Sequence, residues 1–229
     1  MSAPAIPFPL VRVAQWAGEK QLVAAQDVVS GALLVGEYPI AFVDIREGED
    51  EIAPWLLLES ILASGPIYDR VSAEDLKLTK WPLSPEDEAN IERLARTYKR
   101  NARKLVQLYH RVAANNIRYV RGDVIGFGIW PTISRSNHSC DPNARPAGSA
   151  KVELAELLIA TREIPAGTAI CWNYFSDPAF LALDWFERNA RLHRDFQFLC
   201  RCPRCESERP PGIAGLPRAQ LLAYFSSRK

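Results

Sequence analysis

The stretch Ser136-Asn137-His138-Ser139-Cys140-Asp141-Pro142-Asn143 decides how the rest of the chain is read. It sets an amide, an imidazole and a thiol side by side in a largely apolar chain, and Pro142 stops a helix from running on through them. Further on comes Cys200-Arg201-Cys202-Pro203-Arg204-Cys205, three thiols in six positions. A tetrahedral zinc site takes four ligands, so this trio needs one more, and only Cys140, Cys171 and the three histidines can supply it. Cys140 is the natural choice, with His193 as an alternative; choosing Cys140 ties the C-terminal segment back onto the N-H-S-C stretch. Zinc–thiolate bonds of about 2.3 Å would then contribute folding free energy to a short segment with little core of its own. Arg201 and Arg204, interleaved with the thiols, are expected to offset their negative charge, and Cys171 is left to pack as a small apolar residue.

The composition is that of an ordinary soluble chain: 229 residues, 48% hydrophobic and 24% charged, enough for one domain or one domain with an insert. A net charge of +1 gives no reason to expect nucleic acid or an anionic membrane as partner. No run of eighteen apolar residues suggests a membrane span. Met1 to Leu10 has three prolines and no basic region before an apolar core, so it does not read as a secretory signal. Five cysteines, three of them packed together, suit a metal and a reducing compartment better than disulfides, which points to cytosol or nucleus.

Period-two alternation predicts strands over Leu10 to Trp16, Leu22 to Val29, Ala32 to Tyr38 and Ile40 to Val43, with a turn at Ser30-Gly31. A short apolar helix is expected from Pro54 to Ala63, ending at Gly65-Pro66. Ser84-Pro85-Glu86-Asp87 starts a long helix, with a capping serine, proline in the first turn and acidic residues behind it. Its apolar positions, Ile91, Leu94, Ala95, Tyr98, Ala102, Leu105, Val106, Tyr109, Val112 and Ala113, follow the helical period. The opposite face carries Arg93, Arg96, Lys99, Arg100, Arg103, Lys104 and Arg111, read as a solvated face with an acidic partner as the alternative. Leu154 to Ala160 reads as a buried strand, Pro165-Ala166-Gly167 as a turn and Ala169 to Tyr174 as the partner strand. Asp177-Pro178 is expected to start a helix with Arg188, Arg191 and Arg194 on its polar side, followed by a loop over Glu206 to Gly215 and a closing helix over Leu216 to Phe225.

The run N-H-S-C-x-P-N, then Gly167 to Tyr174, then C-x-C-x-x-C, taken in this order, resembles a SET domain with a post-SET zinc segment, closest to SMYD-like and fungal stand-alone SET proteins. The likeness is strong from about Gly126 to Cys205 and weaker from Val11 to Val43. It implies a mostly β fold with inserted helices: small sheets, a knot-like threading of the N-H-S-C segment, a helical insert and a zinc-bound C-terminal segment. The corresponding division is 1–46 and 123–178 as the two parts of the SET core, 47–122 as the insert, 179–205 as helix and zinc segment, and 206–229 as a tail. The resemblance further implies S-adenosylmethionine as cofactor, contacted by Asn137, His138, Phe198 over the adenine, Tyr174, and the Gly18-Glu19-Lys20 loop. Tyr174 matches the catalytic tyrosine, and Trp172 stands where the family sets the width of the lysine channel; alternation along a strand would turn both toward one wall. Cys140, Cys200, Cys202 and Cys205 match the zinc ligands.

The chain departs from the family at its first motif. Where two glycines let the backbone approach the cofactor, Ala17-Gly18-Glu19-Lys20-Gln21 puts Glu19 and Gln21. Trp172 replaces the usual Phe or Tyr and would crowd the channel, and Asn173 replaces a frequent Asp. The implied function is methylation of a protein or peptide lysine, histone among the candidate substrates. The alternatives are a SET-fold binding protein without transferase activity and a SET scaffold turned to a small-molecule ligand.

Overall fold

In the N-terminal part, alternating apolar residues build short strands. In this computed structural model, which describes residues 8–16, 19–78, 82–149, 153–175, 177–213, 216, 220, 221 and 225, β1 (Val11–Trp16) and β2 (Glu19–Ala24) pair antiparallel. The strand expected to run from Leu22 to Val29 ends at Ala24, whose backbone is taken up by Thr168 and Gly167; Val28 rejoins only through a single bridge to Ile164. Gly31, at φ +83°, makes the predicted turn into β3 (Leu33–Glu37), and β4 (Ala41–Asp44) follows.

The helical part differs from the sequence reading in two places. Gly65-Pro66 does not end the apolar helix α1 (Ala53–Ala63) in a loop but opens a second, α2 (Gly65–Ala73), because Ser64 is extended and Pro66 sits in a first turn that needs no N–H from it. The long helix is in fact two. Ser84 caps α3 (Pro85–Thr97) as predicted, its hydroxyl accepting from Asp87 N at 3.1 Å. The helix then breaks at Lys99, which takes a left-handed φ of 50°, and Asn101 caps α4 (Ala102–Asn115) by accepting from Lys104 N at 3.2 Å. The period survives the break because both helices lay Ile91, Leu94, Leu105 and Val112 on one core with Leu57 and Ile61 of α1.

Helix α4 runs directly into β5 (Asn116–Arg121), which forms a hairpin with β6 (Val124–Ile129), and β4 joins the other edge to give the order β4-β6-β5. A 3-10 turn at Ile133–Arg135 leads to β7 (Asn137–His138). Then come β8 (Ala144–Gly148) and β9 (Glu156–Ala160), in a sheet ordered β3-β9-β8. Ala169 to Tyr174 is therefore not the partner of the Leu154–Ala160 strand, since β9 is already paired on both edges. Only Cys171–Trp172, β10, is extended, and it pairs in parallel with β7.

Beyond it, the helix expected from Asp177 is a 3-10 turn, Pro178–Ala182, and the true helix α5 (Trp185–Phe196) starts from a capping box on Asp184 and Glu187. A short helix, α6 (Pro203–Ser207), occupies the end of the cysteine run and the start of the stretch expected as loop. Most of the closing helix predicted over Leu216 to Phe225 lies outside the described residues, although Leu221 and Phe225 are buried. Among the described residues no helix is long and apolar enough to cross a membrane.

Among the described residues three apolar clusters form: one between the sheets around Leu22, Val35, Trp130 and Leu158, one among the helices, and a small one around Phe180, Trp185, Leu192 and the cysteines. The sheet β4-β6-β5 is closed under Phe42, whose ring lies across β6. A Cβ on Gly126 would stand 2.5 Å from Val43 O and closer still to the Phe42 ring. Gly126→Ala is therefore expected to cost about 1–3 kcal/mol of stability by overpacking. A denaturant melt checks this, and an unchanged midpoint would show that β4 yields freely.

Glu37 and Glu156 stand opposite one another in the β3–β9 register, and burial pushes both carboxyls up to about 7. Glu37 also accepts from Thr132 N and Ile133 N at 2.8 and 2.7 Å. A folded-state value above the unfolded one means that the folded chain holds more protons in this interval. The stabilisation is complete below about pH 4.5 and is lost as pH rises through 7, up to about 3 kcal/mol for Glu156. Melting temperature should thus fall between pH 5 and 8, and Glu156→Gln should flatten that slope; an equally steep profile in the variant would count against this account.

Candidate active site and metal centre

The four sulfurs of Cys140, Cys200, Cys202 and Cys205 come within 4.8 Å of one another. Cys140 is delivered by the loop after β7 and the other three by the segment entering α6 and by α6 itself; Cys205 Sγ stands 3.5 Å from Cys140 Sγ. A zinc tetrahedron with bonds of about 2.3 Å has sulfur–sulfur edges of about 3.8 Å, so the donor set fits a single tetrahedral ion. Hydrogen bonding to Cys140 pushes the Cys200 thiol far above the ordinary thiol range, with Cys202, Cys205 and burial adding to it. Hydrogen bonds from Cys140 and Cys200 hold Cys202 far below that range. Thiols that compete in this way for protons are ones that a divalent cation could relieve together. Cys171 is not part of the group; its half-buried thiol is pushed up to about 11 by burial, as a packed cysteine would be.

The side chains supporting the cluster come from α5 and are not those that the sequence suggested. Arg201 is exposed and turned to Glu206. Arg204 pairs with Glu208 and donates to the carbonyls of Cys140 and Leu181 at 3.2 and 2.9 Å, so it ties the segment to the N-H-S-C loop without facing the sulfurs. The charge beside the thiols is Arg188, assigned to the polar face by periodicity but 0% exposed. Its Nη2 lies 3.9 Å from Cys205 Sγ and pairs with Glu208, and its Nη1 donates to Leu183 O. Asn189, also fully buried, accepts from Cys200 N at 2.8 Å, donates to Trp185 O at 3.0 Å, and stands 3.9 Å from Cys205 Sγ. Trp185 Nε1 donates to Cys205 O at 2.8 Å. The spacing Trp185, Arg188, Asn189, Leu192 is a buried i, i+3, i+4, i+7 stripe, and that stripe was the available signal for Arg188.

Next to the thiols lies a cluster of aromatic side chains. Tyr174 follows β10 in a bend and is held at both ends by the N-H-S-C stretch: its N–H donates to His138 Nδ1 at 3.2 Å and its hydroxyl to Ser136 O at 2.9 Å. Trp172 stands 5.1 Å from it, ring to ring, so the two aromatics share one wall as alternation requires. Phe196 and Phe198 close the other side at 5.2 and 6.3 Å from Tyr174. The His138 ring packs among Tyr174, Phe180 and Phe198, with Nε2 3.3 Å from Cys140 Sγ. Burial pushes His138 down to about 4, so the ring is neutral at pH 7.

At the opposite end Asn137 meets two side chains that the sequence reading did not place there. Its Nδ2 donates to Gln21 Oε1 at 2.9 Å, and its Oδ1 accepts from Lys77 Nζ at 3.2 Å. Lys77 is brought there by Asn115, which brackets the Lys77 backbone with bonds of 3.2 and 2.7 Å. Lys20 pairs with Asp75, which Arg135 also contacts. Of the stretch Gly18-Glu19-Lys20, expected as a loop, Gly18 lies outside the described residues, while Glu19 and Lys20 belong to strand β2. Buried side-chain atoms left without a hydrogen-bond partner include Gln21 Nε2, Ser136 Oγ and Trp172 Nε1, all on the residues that surround Asn137 and Tyr174. A group of buried, unsatisfied polar atoms in one place is costly unless a polar ligand completes it, so the residues present fit a polar cofactor.

Four cysteines that could hold one metal ion thus stand beside a cluster of aromatic side chains around Tyr174. No family model matches the chain. It is similar to the histone-lysine N-methyltransferase ASHR2 of Arabidopsis thaliana (32% identity, 42% of this chain and 23% of that one). It is also similar to the histone-lysine N-methyltransferase SMYD3 of Mus musculus (26%, 58% and 33%) and to the SET domain and MYND-type zinc finger protein 6 of Schizosaccharomyces pombe (28%, 44% and 20%). A crystal structure of the SET domain of LSMT bound to lysine and AdoHcy overlays with a TM-score of 0.49 at 12% identity, over 87% of this chain and 54% of that one. The recurrent likeness is thus to SET-domain lysine methyltransferases of the SMYD kind. The matched stretches span from about a fifth to a third of those three relatives.

Metal analysis of protein prepared without chelators should find about one zinc per chain, and Cys140→Ser should lower that content. Arg188→Gln should weaken metal retention about 10–100-fold, the usual cost of removing a group that supports metal ligands. Competition with a chromogenic chelator measures this, and wild-type retention in the variant would leave Arg188 without a role at the cluster.

Proposed function

We propose that the chain is a SET-type methyltransferase that uses S-adenosylmethionine to methylate a protein lysine, with zinc held by Cys140, Cys200, Cys202 and Cys205. The observation that carries this reading is Tyr174, fixed at both ends beside Trp172 among packed aromatic rings, with unsatisfied polar atoms at Gln21, Ser136 and Trp172 around it. S-adenosylmethionine, when bound, supplies a methyl group activated on a sulfonium. Asn137, Lys20 and the backbone of His138 would hold its polar end together with Gly18 and Glu19, and Phe198 would cover the base by stacking. The aromatic slot favours the neutral form of an incoming lysine amine by desolvation. The Tyr174 hydroxyl and the Ser136 carbonyl, already hydrogen-bonded to each other, would direct the amine's lone pair along the line of transfer. Trp172 narrows the slot, which favours adding a single methyl group. Histone and other protein lysines are the candidate substrates, and five free cysteines suit cytosol or nucleus.

A second reading, a SET-fold binding protein without transferase activity, draws on one observation: Gln21 and Lys77 already satisfy the Asn137 amide. Calorimetry separates the two. Binding of S-adenosylmethionine supports the enzyme, whereas no heat at millimolar cofactor defeats it. Tyr174→Phe should lower turnover about 100-fold, the low end for a positioned proton-handling group, while costing about 1 kcal/mol of stability for the lost bond to Ser136; undiminished turnover would remove Tyr174 from the mechanism.

A further inference from the structure

We infer that His138 is a positioning residue whose ring couples the thiolate cluster to Tyr174. The inference rests on the zinc and cofactor readings just given. Tyr174 N–H donates to Nδ1 at 3.2 Å, so Nδ1 carries no proton. A neutral imidazole must then keep its hydrogen on Nε2, and that nitrogen stands 3.3 Å from Cys140 Sγ. The geometry therefore assigns the tautomer: Nε2–H donates to the Cys140 sulfur while Nδ1 accepts from the residue that closes the pocket. Both ring nitrogens are spent, which leaves the cofactor only the backbone of His138. The ring is 7% exposed and wedged among Tyr174, Phe180 and Phe198, so it cannot swing away without unpacking them.

This arrangement has a mechanical result. Tyr174 rests on the N-H-S-C stretch at both ends, through His138 Nδ1 and Ser136 O, and the same stretch carries Cys140 two residues on. An ion that fixes Cys140 thereby fixes the plane of His138, and with it the backbone that sets Tyr174 in the pocket. Coupling of this kind is reciprocal: whatever metal does for the pocket's ligand, the ligand does for metal.

Three replacements separate the two contacts. His138→Gln places an amide nitrogen where Nε2 stands and keeps the bond to Cys140. His138→Asn places an amide oxygen where Nδ1 stands and keeps the bond to Tyr174, and His138→Leu keeps neither. Two measurements are made on the full chain: the thiolate-to-metal charge-transfer band of the cobalt-substituted protein, and the rate of zinc loss to a chelator with and without S-adenosylhomocysteine. In the wild type, S-adenosylhomocysteine should slow zinc loss about tenfold, and each replacement should abolish that effect. The band should keep its wild-type position in His138→Gln and shift in His138→Asn and His138→Leu. A general loss of packing would move band and coupling together in all three. Coupling retained in His138→Leu, or a band that shifts in His138→Gln as far as in His138→Leu, overturns the inference alone. A wild type that holds no zinc or binds no S-adenosylhomocysteine overturns the functional reading, and this inference with it.

Discussion

Four cysteine sulfurs brought within 4.8 Å of one another and largely buried cannot all ionise without a positive charge among them. Everything at the C-terminal end of the chain is arranged around that constraint. The third apolar cluster is small, and the thiols are among its own members, so α6 is held against the loop after β7 largely by polar contacts and by the cysteines themselves. Where a core is this thin, metal–ligand bonds take over work that burial does in larger domains. The supporting side chains follow the same logic. Arg188 supplies charge from inside, Asn189 and Trp185 bind the backbone of Cys200 and Cys205, and Arg204 reaches across to Cys140 O.

The cluster and the pocket are consequently one structure. Residues 137–143 run beside Cys171–Trp172 and bond to it through Ser139 N, Asn143 N and the Asn143 side chain. Because the two strands run parallel, the same end of this short ladder carries Cys140 on one strand and leads to Tyr174 on the other. Placing a buried hydroxyl-bearing side chain such as Tyr174 on a bend would ordinarily leave it loose. Here the bend is pinned by an imidazole that is itself pinned to a sulfur, so rigidity comes from side chains more than from regular secondary structure.

Around Asn137 the chain departs from the glycine-rich pattern that a resemblance to SET domains implies. A glycine at position 21 would leave space beside Asn137; Gln21 fills it and bonds to the Asn137 amide. Lys77, from the helical region, takes the other side of that amide. The polar end of the site is thus lined by two long side chains able to exchange partners, where close backbone approach would otherwise be needed. The unsatisfied Gln21 Nε2 marks where such an exchange would begin.

Read alone, the sequence was enough for Cys140 as companion of the late cysteines and for Trp172 and Tyr174 on one wall. These follow from residue chemistry and from period, which are written in the chain. The helix caps at Ser84 and Ser30-Gly31 as a turn were legible for the same reason. What only the tertiary structure decided concerns partners far apart in sequence. Ala169 to Tyr174 could not be assigned to β7 because pairing depends on which edges are already taken, and β9 has none free. The break at Lys99 was invisible because both helices face the same core and so preserve one period. Arg188 read as a surface residue because charge predicts exposure unless something buried needs it, and the thiols that need it lie on another segment. Gln21 and Lys77 meet at Asn137 for a like reason: hydrogen bonds between residues dozens of positions apart leave no trace in local pattern, and only the folded chain brings them within reach.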